Sequence, residues 1–163
     1  MGKRTAVFPQ DAKFNRVMGI LRILYHNKGK MSIGDLTAVS KEHVDTLLPQ
    51  VNAAKMLKLV HTRDKNVMLT KLGEALHKND ADAIKTVSDE LKEIEPFKTA
   101  YNLSKDMKRF TTDELNDKIC NNGIKLDANP DKGRESLEEM LMQWAIYFSI
   151  LDYNGVERIW LEE

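Results

Sequence analysis

The chain has 163 residues, of which 42% are apolar and 31% charged, and its 25 basic side chains balance its 25 acidic ones. That composition excludes wholesale disorder, and the length suits one large domain or two small ones. No run approaches the roughly 20 apolar residues that a membrane span needs, so no membrane association is expected. The opening MGKRTAVFPQ lacks the apolar core of a signal peptide and Cys120 has no second cysteine to pair with, so a reducing, cytoplasmic setting is expected.

Neutrality hides an asymmetry. Residues 1–80 hold 14 Lys/Arg against 7 Asp/Glu, and residues 81–163 hold 11 against 18. A basic half and an acidic half either attract each other or meet different partners.

Along residues 11–27, Phe14, Val17, Met18, Leu21, Leu24 and Tyr25 recur every three or four positions, which predicts a helix with one buried face. Gly29 follows it as a left-handed stop. Ser32 is placed to cap a short helix through Ile33, Leu36 and Val39. Ser40 is expected to cap a longer helix with Val44, Leu47, Leu48, Val51 and Leu57 inward, kinked or restarted at Pro49. Residues 59–63 and 67–70 read as two strands around the turn Asp64-Lys65-Asn66. Helix, short helix, longer helix, hairpin is the order of a winged helix-turn-helix. Thr70 then caps another helix, and Ile84, Val87, Leu91 and Ile94 mark an amphipathic linker.

After Pro96 the pattern returns. Phe97, Ala100, Tyr101 and Leu103 suggest a helix, Thr111 or Thr112 caps a second through Leu115 and Ile119, and 126–130 reads as a loop. Pro130 can begin a helix running to about Ser149, and Asn154-Gly155 is the strongest short hairpin signal in the chain. Lys30-Met31-Ser32 aligns with Arg109-Phe110-Thr111, and Met56 to Val60 with Tyr147 to Leu151, which indicates internal duplication. The expected fold is mainly α with small β-hairpin wings: a basic winged helix over 8–80, a helical linker over 81–95, and an acidic winged helix over 96–163.

Catalytic signatures are missing. His26, His43, His61 and His77 have no partner at metal-ligand spacing, and neither a phosphate loop nor a nucleophile elbow occurs. No enzyme activity, metal or cofactor is expected.

Duplex DNA is a candidate partner for the first half. Lys41, Thr46 and Gln50 are expected to face outward on or beside the groove-reading helix. Arg63, Lys65 and Asn66 at the wing tip could straddle the backbone, with Lys28 and Lys30 nearby. Glu42 and Asp45 oppose this. The second half's corresponding helix begins acidic and continues apolar nearly all round, which suits protein contact. Ile20 and Ile23 on the first helix, and Met142, Ile146 and Tyr147 on the last, exceed what one core needs. An apolar seam between the halves or between two copies in a homodimer is expected.

Four stretches carry a family resemblance: Leu47-Leu48-Pro49-Gln50-Val51, Val67-Met68-Leu69-Thr70-Lys71-Leu72-Gly73, Glu95-Pro96-Phe97, and Trp144-Ala145-Ile146-Tyr147 with Leu151-Asp152-Tyr153. In order and spacing the chain resembles the AAA-associated C-terminal domain, which follows the ATP-binding cassette of some ABC-transporter ATPases and also occurs free-standing in archaea. Ala145 stands where that family's pattern has glycine. The resemblance runs from Phe8-Pro9 to the end, brings no catalytic residues, and implies a regulatory or docking module whose partner is an ABC-type ATPase. The alternative is a DNA-binding transcription regulator that uses the basic half.

Overall fold

A computed structural model describes residues 6–124, 126 and 130–163, the side chains of residues 130 and 131 excepted. The described chain is mainly helical with two small antiparallel sheets and falls into two compact units. One is Asp11–Val87; the other joins residues 6–10 to Ser88–Glu163.

The first unit runs α1 (Phe14–His26), β1 (Lys30–Ser32), α2 (Ile33–Ser40), α3 (Val44–Met56), β2 (Val60–Arg63), β3 (Asn66–Leu69) and α4 (Lys71–His77). Helix α5 (Ala81–Leu91) crosses the division between units. The second unit repeats the order with α6 (Phe97–Met107), β4 (Arg109–Phe110), α7 (Thr112–Asn121), α8 (Pro130–Met140), a π turn at Leu141–Ala145, β5 (Leu151–Asn154) and β6 (Ile159–Glu162). Strand order is β1-β3-β2 in one sheet and β4-β6-β5 in the other, so each sheet puts its last strand in the middle.

The starts of the helices follow from side-chain caps. Ser32 accepts from the Asp35 amide, Thr70 from Gly73, and Thr111 from Glu114 in a reciprocal capping box. The first unit buries Val17, Leu21 and Leu24 of α1 with Leu36, Leu47, Val51 and Leu57. Each such side chain contributes about 1.5–3 kcal/mol on leaving water. In the second unit, Phe8 packs edge-on against Phe97 and Trp144, at centroid distances of 5.4 and 4.9 Å.

The repeated order extends to matching hydrogen bonds. After α3, Lys58 takes a left-handed φ of 62° and the Leu59 amide donates to the Ala54 carbonyl at 2.8 Å. After the π turn, Ser149 takes φ 56° and the Ile150 amide donates to Ala145 at 2.8 Å. Both are six-to-one closures that turn a helix end into a strand.

Several expectations are corrected. The segments aligned at Lys30 and Arg109 are strands, each the third of its sheet; at three and two residues they are too short to display a two-residue period. Ser40 ends α2, with its hydroxyl donating to Leu36, and His43 caps α3 instead. Helix α3 runs unbroken through Pro49, and its buried face is Leu47, Gln50, Val51 and Ala54, leaving Val44 and Leu48 exposed. The helix expected to reach Ser149 is α-helical to Met140 and then widens into the π turn. Asn154-Gly155 is not a two-residue turn. Four residues separate Asn154 from its partner Ile159, and the Asn154 side chain accepts from the amides of Val156 and Glu157. The loop expected at 126–130 falls mostly outside the described residues.

Candidate functional site

The β1-β3-β2 sheet has a buried face holding Met31 and Val67 and an outer face of two cross-strand rows. One row is Lys30, Met68 and His61; the other is Ser32, Asn66 and Arg63. Two hollows lie along it. One of about 520 Å³ is lined by Tyr25, Lys28, Lys30, His61, Met68 and Glu74 among others. The second, about 380 Å³, shares Lys30, His61 and Met68 and adds Arg63, Asp64 and Asn66.

At the hairpin tip Asp64 and Lys65 have φ of 50° and 63°, the pair of left-handed residues that a tight two-residue hairpin turn requires. The Lys65 carbonyl accepts from the Ile33 amide at 3.0 Å, which ties the tip to the start of α2. At the opposite end Tyr25 packs against His77 with centroids 4.7 Å apart, and the Lys78 ammonium lies 5.3 Å from the Tyr25 ring. Lys78 is held above its usual pKa chiefly by its hydrogen bond to Glu74.

The structure thus gathers Arg63, Lys65 and Asn66 of the expected contact residues, together with Lys28, Lys30 and His61. Lys41 is exposed but lies apart from these rows, as the left-handed residue after α2, and Thr46 is half-buried on α3. Gln50 is a correction. It is 2% exposed, accepts from the Lys13 amide at 2.8 Å and donates to the Asp11 carbonyl at 2.8 Å, so it faces the interior and not a ligand. His61 and Tyr25 escaped the sequence reading. The alternation of His61 with Arg63 was a signal for one outer face, but it could be read only with β1 in its place beside β3.

Helix α3 presents Val44, Asp45, Leu48, Asn52 and Lys55 outward, with Val44 and Leu48 39% and 41% exposed. They are four residues apart and therefore neighbours on one helical face. Of the expected interface residues, Ile20 is buried, and with half-buried Ile23 it lines a hollow of about 200 Å³. Met142 is half-buried, whereas Ile146 and Tyr147 are each 39% exposed. The second unit also holds a polar cleft of about 330 Å³ with Asp113, Arg134, Glu138, Tyr153 and Arg158. Arg134 is paired there with Asp113, whose hydrogen bond holds the guanidinium above its usual pKa.

A family model for the C-terminal AAA-associated domain matches residues 35–154. The chain belongs to this family. No curated protein and no solved structure matches it. In this AAA-associated domain the match spans both units, from within α2 to the end of β5. The family is an accessory domain associated with ATPases, and two of the passages that carry the resemblance have plain structural roles here. In the Leu69-Thr70-Lys71-Leu72-Gly73 passage, Gly73 is buried so close to the Leu59 carbonyl that a Cβ would run into it. In the Trp144 passage the indole is fully buried on Phe8, a residue outside the matched span. No helix among the described residues is long and apolar enough to cross a membrane.

Proposed function

We propose that the chain is a non-enzymatic tandem winged-helix module that regulates or docks onto an ABC-type ATPase from the cytoplasmic side. The observation that carries this reading is the outward face of α3. In a winged helix that contacts duplex DNA, this helix enters the major groove and offers hydrogen-bond donors to bases and phosphates. Here its leading half offers Val44 and Leu48 beside Asp45, with the donors Asn52 and Lys55 only toward its far end, a surface suited to another protein. Ile146 and Tyr147 of the second unit extend the supply of apolar contacts. This favours an interaction module over a transcription regulator, whose DNA contacts would be left to Arg63, Lys65 and Asn66.

The test combines the purified chain with the ABC-type ATPase encoded nearest to its gene and follows binding by calorimetry and ATP turnover in parallel. Binding, with a change in turnover that Leu48→Asp abolishes while the thermal midpoint of the chain holds, supports the reading. Absence of binding, or binding indifferent to both Leu48→Asp and Tyr147→Asp, removes it.

A further inference from the structure

We propose that the outer face of the β1-β3-β2 sheet, together with Tyr25 at its edge, binds single-stranded nucleic acid. The face combines cations for the backbone with two rings for unstacked bases, the exposed ring of His61 and that of Tyr25, on which His77 and Lys78 already pack. Lys30 and His61 flank Met68 in one cross-strand row, and Arg63 and Asn66 stand in the next. Lys28, Lys30 and Lys65 are exposed and form no ion pair among the described residues. Tyr25 and His61 line the same hollow as Met68 and Leu69, and Lys30, His61 and Met68 also line the one that reaches Arg63.

Two carboxylates oppose an anion on this face, and each has a cationic neighbour. Glu74 is bonded to Lys78 at 3.1 Å, and Asp64 lies 3.8 Å from Arg63. The surface therefore keeps a positive balance along its length. The same residues argue against a duplex. Paired bases stay stacked and offer no ring face to Tyr25 or His61, and the helix that would read base edges carries Val44, Asp45 and Leu48 outward with Gln50 inside. A single strand lying across the sheet uses the cations and the rings together. This inference is independent of ATPase docking, because α3 and Tyr147 take no part in it.

The experiment is fluorescence anisotropy with the full chain at low salt. The probes are a labelled mixed-sequence single-stranded oligonucleotide in DNA and RNA forms, and the duplex of the same sequence, with polyglutamate as competitor. The single strand should bind about tenfold more tightly than the duplex, and Tyr25→Ala and His61→Ala should each weaken it about tenfold. Lys28→Gln with Lys30→Gln should flatten the salt dependence by about 1.4 in the log–log slope, whereas Lys118→Gln should leave it unchanged. His61 is exposed, so His61→Ala reports even where Tyr25→Ala unfolds the chain. Equal or tighter binding of duplex, full displacement by polyglutamate, indifference to His61→Ala, or no binding at all would each overturn the proposal.

Discussion

The side-chain carbonyl of Gln50 accepts a 2.8 Å hydrogen bond from the backbone amide of Lys13, a residue 37 positions earlier. The same side chain donates to the Asp11 carbonyl at 2.8 Å, so the middle of α3 holds the strand of chain that leads into α1. Lys13 is the cap residue of α1 and provides no side-chain cap of its own. Gln50→Ala would remove these partners from a part-buried amide and carbonyl. It should lower stability by about 2 kcal/mol in urea titration and leave nucleic-acid affinity unchanged. A stable variant with weakened oligonucleotide binding would return Gln50 to the ligand surface.

Gly73 is constrained by backbone, because its missing Cβ would collide with the Leu59 carbonyl and crowd Leu69. The carbonyl cannot move without disturbing the turn where Thr70 is bonded to Leu59 and Lys58. Gly73→Ala should cost about 3 kcal/mol. Gly34→Ala is the control: only the Ser32 hydroxyl at 3.9 Å lies near its Cβ, and alanine in a helix is favoured by up to about 1 kcal/mol. Equal denaturation midpoints for the two variants would contradict this account.

Thr112 and Trp160 form a buried pair in the second unit, with the indole N–H donating to the threonine hydroxyl at 3.0 Å. Thr112→Val keeps the volume and removes the acceptor. The unsatisfied indole should cost about 1–3 kcal/mol, whereas Thr111→Val loses only an exposed cap, typically about 1 kcal/mol. Chemical denaturation followed by tryptophan fluorescence ranks the two.

Glu162 is held below the usual glutamate pKa, first by its hydrogen bond from Lys108 and then by that from Lys105, at 2.8 and 3.0 Å. A carboxyl with a lowered folded-state pKa contributes stability above the unfolded value, 4.5, and loses it as the pH falls toward and through the folded one. Lys105 is raised, chiefly by its bond to Glu162, so its share is present below 10.5 and fades as the pH rises through the folded value. Glu162→Gln should therefore lower the thermal midpoint most between these limits, with the gap to the parent closing below pH 4.5 and again in strong alkali. A gap that is constant from pH 3 to 8 would show that the pair does not act through charge.

Much of the fold was legible because local chemistry dictates it. The caps at Ser32, Thr70 and Thr111, the apolar rhythm of α1 and the repeated order of elements depend on near neighbours in sequence, and hydrogen bonding with helical periodicity expresses them directly. The family resemblance rested on the same short-range patterns, including a glycine whose reason, the Leu59 carbonyl, lies fourteen residues away. What only the tertiary structure decided were the matters of pairing and facing. Strands β1 and β4 exist because a hairpin formed much later in the chain supplies their partner. Gln50 turns inward because the backbone before α1 presents an amide and a carbonyl at its depth, an attraction invisible to a polarity pattern that counts glutamine as surface. Tyr25, Lys30 and His61 share one surface because β3 lies between β1 and β2. Sequence spacing sets which residues lie on one helix or strand, but neighbours across a sheet are chosen by hydrogen bonds between segments far apart in the chain.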